Sequence, residues 1–189
     1  MKQFFLLAAL GAVVLPSAAQ AAPANIVVVD RERVYAECTA CRAAQTQLQS
    51  RASALQSRQT ALATPLQTEA QSLQTAVGAL NGKEPDAALK ARVTAFQTKQ
   101  NSANQELQKM QQDLQSTQAN VLRQIDAKLG PIYQQVMAAK GANIAVDEGA
   151  TLAHGAALDV TNDVLAALNQ QLPSVSVTPM PAAAAPAGR

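Results

Sequence analysis

Between residues 48 and 121 apolar side chains return every seven positions, and that period decides most of what the chain can become. Leu48, Leu55 and Leu62 lie seven apart, and Leu66, Leu73 and Leu80 resume the spacing after a step of four, with Ala52 and Gln59 in alternate positions. Further on, Val93, Gln100, Leu107, Leu114 and Val121 form one row, and Leu89, Phe96, Ala103, Met110 and Thr117 form the other. Two such rows make an a/d heptad seam, weak where Gln, Ala or Thr stands in for a large apolar residue. Beyond Val121 the row steps to Ile125, Leu129, Ile132 and Val136, a stutter that loosens a supercoil. The turn formers Gly78, Asn81, Gly82 and Pro85 separate the halves, and Pro85 or Asp86 can open the second helix. The pattern predicts an antiparallel helical hairpin over residues 42–140 with its tip near 78–86. Pro65, facing the region of Asn101 and Ser102, predicts a kink or weak point in the first arm, and Gly130-Pro131 another near the base of the second.

Composition favours an elongated molecule. The chain has no Trp and 3% aromatic residues, and large side chains supply most core burial. Its formal net charge of +2 hides an uneven distribution. Residues 42–140 carry eleven Lys and Arg against six Asp and Glu, whereas residues 22–41 and 141–175 together carry two against seven. The arm faces are mostly Gln, Ser, Thr and Ala. They suit a solvated helix surface, or a weakly basic wall that touches many partners.

The flanks read as a small α/β body, residues 22–41 and 141–172. N-I-V-V-V-D (25–30) and A-N-I-A-V-D (142–147) are β-branched and nearly continuous, as buried strands are. A-T-L-A-H (150–154) suggests a third short strand. Residues 158–169 suggest a helix with Thr161 as N-cap, Asp163 in its first turn, and Val164, Leu165 and Leu168 on its apolar stripe. The expected core of the body and of its trimer interface is Ile26, Val28, Ile144, Val146, Leu158, Val164, Leu165 and Leu168. So small a core rarely folds unaided, and its strands leave exposed edges, so self-association is expected. The fold class is therefore α+β, mostly α.

The ends carry other signals. Met1-Lys2, the apolar run Phe4 to Leu15, and small residues through Ala21 read as a signal peptide over residues 1–21. The mature chain is then exported to a compartment where disulfides persist. Residues 173–189, rich in Pro and Ala, read as a disordered tail.

Chemical motifs are few. Cys38 and Cys41 lie one helical turn apart, a spacing compatible with haem attachment, metal binding, redox work or a staple. Arg42 stands where haem attachment needs His. The two cysteines and the single His154 fall short of a four-ligand metal site, and a thioredoxin-like centre needs a βαβ context that is missing here. His154 beside Gly155 suits a turn or strand end. No phosphate-binding G-x-x-x-x-G-K-[ST] run is present. No cofactor is expected, and an exported chain without a basic-aromatic pattern is not expected to bind nucleic acid.

From Ala24 to Asn169 the sequence resembles the Skp/OmpH family of periplasmic chaperones. The resemblance lies in I-V-V-V-D-R-E-R-V (26–34), N-I-A-V-D (143–147) and, most specifically, L-D-V-T-N-D-V-L-A-A-L-N (158–169). The arms match only as heptad helices. The resemblance implies a homotrimer with a shared β-containing trimerisation body and three hanging tentacles. It implies a periplasmic holdase, not an enzyme, that keeps unfolded outer-membrane proteins between the tentacles without ATP. It places Cys38 and Cys41 at an elbow before the first arm, implying an intrachain disulfide, with bonds between trimer mates the next possibility. It also suggests that the tip basics Lys83, Lys90, Arg92 and Lys99 contact anionic lipid or lipopolysaccharide. The CxxC pair, the Pro/Ala tail and the sparsely charged arms depart from the family. Off-seam Val77, Ala91, Ala95, Ala119 and Leu122 are candidate client contacts. The rival readings are a structural coiled-coil spacer or adaptor of the envelope, and a thiol-disulfide enzyme resting on the CxxC alone.

Overall fold

The structure is a computed structural model that describes residues 23–180; the expected signal peptide and residues 181–189 lie outside the described residues. The order is strand β1 (Ile26–Val29), helix α1 (Arg31–Glu37), helices α2 (Thr39–Gly78) and α3 (Ala87–Lys140), strand β2 (Ile144–Asp147) and helix α4 (Thr161–Gln171). Single 3-10 turns lie at Glu148–Ala150 and Ala156–Leu158. Helix α2 has 40 residues and α3 has 54, which at about 1.5 Å per residue reach roughly 60 and 80 Å.

Local chemistry sets the hairpin's ends. Asn81 and Gly82 take positive φ, 48° and 84°, at the tip, where Asn and Gly carry the least strain. The Asp86 carboxylate then caps α3, accepting from Leu89 N at 2.8 Å. Gly141, at φ 64°, closes α3, with Ala142 N donating to Met137 O and Gly141 N to Ala138 O, the pair of bonds that defines a Schellman stop. Neither internal proline interrupts its helix: α2 runs through Pro65 and α3 through Pro131. Beside Pro65 lies a groove of about 460 Å³ whose lining also includes Ser102 and Ala103.

The hairpin is also the crossover of a parallel strand pair. Ile26 stands opposite Ile144, Val27 opposite Ala145, Val28 opposite Val146 and Val29 opposite Asp147. Asn25 brackets the pair, its Nδ2 donating to Gly141 O at 2.8 Å and its N–H to Asn143 Oδ1 at 2.9 Å.

Within one protomer the residues expected in the body and trimer core divide into two sets. Val28, Val164 and Leu168 are buried, with Val146 and Leu165 half-buried, but Ile26, Ile144 and Leu158 lie on the protomer's surface, 37%, 43% and 37% exposed. Val27 and Val29 are buried in their stead, because β1 is covered on both faces. The returning arm supplies five further core residues: Val121, Ile125, Leu129, Ile132 and Val136 join Val34, Val160, Val164 and Leu168 in one cluster. The stutter after Val121 marks where α3 changes partner, from the opposing arm to the base.

Residues 150–154 form no strand. Thr151 donates its N–H and its hydroxyl to Glu148 O, at 2.9 and 2.8 Å, so a local turn takes the bonds a ladder would need. The third contact of the sheet is a bridge between Val28 and Asp159. Thr161 is not the N-cap of α4 either. Val160 holds that position, while the buried Thr161 hydroxyl accepts from Asp30 N at 2.9 Å and Asp159 Oδ1 accepts from Thr161 N at 2.8 Å. The Asp30 amide, folded against α4, has the prior demand on that hydroxyl. Residues 173–180, expected to be disordered, are seated on the hairpin, with Val177 buried in the base cluster. Their period-two valines supply the apolar face that a Pro/Ala reading overlooks.

At the elbow, α1 ends and α2 begins on Cys38. Its N–H donates to Val34 O, and its sulfur lies 3.0 Å from Cys41 N. Cys38 and Cys41 are joined as a disulfide with Cα atoms 5.1 Å apart. Asn169 Oδ1 accepts from Thr39 N at 2.8 Å, so α4 helps cap α2.

Two predictions follow from these joints. Asp159→Ala should destabilise the fold by about 1 kcal/mol, as other lost caps do. The bond to Thr161 lowers the Asp159 pKa, so its contribution is present above the usual carboxylate range and fades as pH falls through the lowered folded value; urea titrations at neutral and strongly acidic pH should show the variant's deficit shrinking. Reducing the disulfide should lower stability by at most about 2 kcal/mol, the chain-entropy value for so short a loop, and replacing both buried cysteines by Ser should cost more, because each puts a hydroxyl in an apolar cluster. Intact mass without reductant should fall about two daltons below the dithiol value, because two protons and two electrons pass to the oxidant when the bond closes.

Candidate functional site

The arms meet along a half-wet seam. Leu73, Leu89 and Ala103 are buried, but Leu48, Leu55, Leu62, Leu66, Val93, Phe96, Leu107 and Leu114 are only half-buried, since two helices cannot enclose a seam as three or four do. Polar ties reinforce it. Arg58 Nε and Nη2 donate to the two Glu106 carboxylate oxygens at 2.6 and 3.0 Å; this pair raises the Arg58 pKa and lowers that of Glu106. Val77, Ala91, Ala95, Ala119 and Leu122 all point to solvent, Val77 and Leu122 with about half of their surface free. Beside Leu122 a groove of about 290 Å³ is lined in part by Tyr35, Leu48, Val121 and Ile125.

The four tip basics do not converge. Lys90 Nζ lies 2.6 Å from Glu84 and Arg92 Nη2 lies 2.9 Å from Glu69, so two are neutralised within the hairpin. Lys99 lines the Pro65 groove with Glu69 and Glu106, about 18 Å along α3 from its start at 1.5 Å per residue. Lys83 sits in the tip turn. Among the described residues neither Lys83 nor Lys99 has a carboxylate within ion-pair distance.

At the base, Ile26 and Ile144 face each other across the strand pair and are exposed, with Leu158 and the fully exposed Leu152 on neighbouring segments. Tyr35 ties α1 to α3 by donating to Asp126 Oδ1, and burial together with that bond pushes its pKa up to about 12. His154 Nε2 sits 3.1 Å from Glu148 Oε1, which raises the imidazole pKa. Cys38 and Cys41 are both buried, an environment of structural rather than reactive sulfur. Among the described residues no group of three or more His, Cys, Asp or Glu converges on one point, and no helix is long and apolar enough to cross a membrane.

The sequence reading missed the residues that seat the C-terminal segment: Arg51, Ser116, Asn120 and Gln124. Two signals could have found them. Ser174 to Thr178 alternates polar and apolar residues, and Ser116, Asn120 and Gln124 recur at a spacing of four along one arm.

A family profile described as outer membrane protein (OmpH-like) matches residues 25–168. No curated protein matches the chain. Among solved structures, the crystal structure of an OmpH-like candidate outer membrane chaperone from Caulobacter crescentus CB15 superposes with a TM-score of 0.69 at 20% identity. The match covers 90% of this chain and 99% of that one, and at that identity it speaks to the fold. The profile spans the base strands, both arms and most of α4, so the chain belongs to the OmpH-like outer membrane protein family.

Proposed function

We propose that the protein is an ATP-independent holdase of the periplasm, a homotrimer whose arms enclose unfolded outer-membrane proteins. The observation that carries this reading is the contrast between the two ends of the molecule. One end leaves Ile26, Ile144, Leu152 and Leu158 uncovered around a two-stranded sheet. The other extends two long helices with scattered exposed apolar groups and no globular core of their own. Joining three bases would cover the apolar rim and set the arms around a common space. Within it, many weak contacts from groups such as Leu122 and Val77 would act together through multivalency.

Family membership and the chaperone description of the Caulobacter relative support this assignment. Lys83 and Lys99, the tip basics outside ion pairs, are the groups assigned to anionic lipid or lipopolysaccharide.

Sedimentation should find a trimer at micromolar concentration, and Ile26→Asp with Ile144→Asp should dissociate it and abolish suppression of aggregation of a urea-unfolded outer-membrane barrel. A wild-type protein that stays a folded monomer, or leaves aggregation unchanged, contradicts the reading and favours a structural spacer. Charge reversal at Lys83 and Lys99 should weaken co-sedimentation with anionic vesicles several-fold, in proportion to the lost surface charge; equal binding by wild type and variant would remove the lipid contact.

A further inference from the structure

After α4 the chain turns back along the hairpin toward its tip, and the hydrogen bonds that hold it there go to its main chain. Ser176 N donates to Gln124 Oε1 at 2.9 Å, and Gln124 Nε2 donates to Ser176 O at 3.0 Å. Arg51 Nη2 reaches Val177 O at 2.9 Å, Asn120 Nδ2 reaches Thr178 O at 3.0 Å, and Met180 N donates to Ser116 Oγ at 2.9 Å. All five bonds go to the main chain of the segment. Its side chains alternate: Val177 is buried and Val175 packs against the same cluster, while Ser174, Ser176 and Thr178 face solvent.

The fit has a geometric basis. Positions four apart on a helix recur about every 6 Å, and alternate residues of an extended chain advance about 6.6 Å. Gln124, Asn120 and Ser116 therefore form a ladder of side-chain donors and acceptors in step with a strand laid beside it. The only side-chain demand is a small apolar residue at alternate positions. Nearer the tip, a groove of about 420 Å³ repeats the chemistry, with Gln59, Asn104, Gln108 and Gln111 around Leu55 and Leu107.

We propose that this groove is a binding site for extended polypeptide of alternating small apolar and polar residues, and that residues 174–180 occupy it as an intramolecular competitor of the client. The inference rests on the holdase reading for the identity of the client. Strands of outer-membrane barrels alternate with the same period of two, so an unfolded barrel carries many segments of the required kind. The tail then lowers the apparent affinity for clients and keeps the groove covered when none is present.

Hydrogen exchange on the wild-type mature protein tests the idea directly, alone and with a urea-unfolded eight-stranded outer-membrane barrel diluted into buffer. The Ser176 and Met180 amides should be protected in the free protein and exchange at least tenfold faster in the complex. Rapid exchange in the free protein, or unchanged protection in a complex verified by co-sedimentation, overturns the proposal. A second arm uses the full-length chain with Val175→Asp and Val177→Asp, its helical content checked by circular dichroism. A labelled peptide spanning Ser174–Met180 should bind this variant in trans at least about tenfold more tightly than wild type, because the competing segment no longer fills the site. Adding Asn120→Ala and Gln124→Ala should remove that binding. Equal binding to wild type and variant, absence of binding to the variant, or survival of binding in the quadruple variant each refutes the site. Failure of the holdase reading looks different: neither protein then forms a complex with the barrel, although the peptide still binds the variant.

Discussion

The base row of α3 fastens everything else. Val121, Ile125, Leu129, Ile132 and Val136 are the residues by which the arm pair is joined to the strands, to α1 and to α4. Each fully buried side chain of this size contributes roughly 1.5–3 kcal/mol. The polar ties around them are smaller. Lys140 with Asp163 and Arg31 with Asp147 are half-exposed ion pairs, a class worth about 0–1 kcal/mol. What those ties and the hydrogen bonds of Asn25, Asn169 and Thr161 add is position: they fix where strands begin, where α2 starts, and how α4 meets β1.

The hairpin was legible because its evidence is periodic. A seam repeated over many turns survives substitution at single positions, and Gly78, Asn81, Gly82 and Asp86 mark the turn by conformational preference. The two short strands were legible as nearly continuous β-branched runs. The base beyond them was not, and the misses share a cause: each depended on a competition between partners that local sequence does not reveal. Thr161 looks like a cap until the Asp30 amide is brought against it. Residues 150–154 look extended until Thr151 turns back on Glu148. Ile26 and Val28 look equivalent by alternation, yet one face of β1 is open at Ile26 and both are closed from Val27 onward.

The same limit applies to the candidate site. Four tip basics read as one cluster because they are near in sequence, but a helix spreads them along its length and two are taken up by Glu84 and Glu69. The groove under residues 174–180 was hidden for the opposite reason. Its parts come from α2, α3 and the segment after α4, and no local motif joins Arg51, Asn120 and Val177. Sequence can show that a strand-like segment exists; only the fold shows what it lies upon.

The fastening at α3 also grades the arms along their length. Near the base, Cys41, Ala44, Val121 and Ile125 are buried in a cluster shared with other elements. Toward the tip each seam residue has only the opposite helix for cover, and at Pro65 the backbone lacks one donor and a groove opens between the arms. Free energies for local opening follow the apolar contacts and protected hydrogen bonds in a region, so resistance to opening falls from base to tip. The holdase proposed above would gain from that gradient: arm ends that separate in part would fit polypeptide of varied size, while the α3 row keeps the base intact. The segment after α4 is seated at the firm end of the gradient, where its five main-chain bonds meet side chains already held in place.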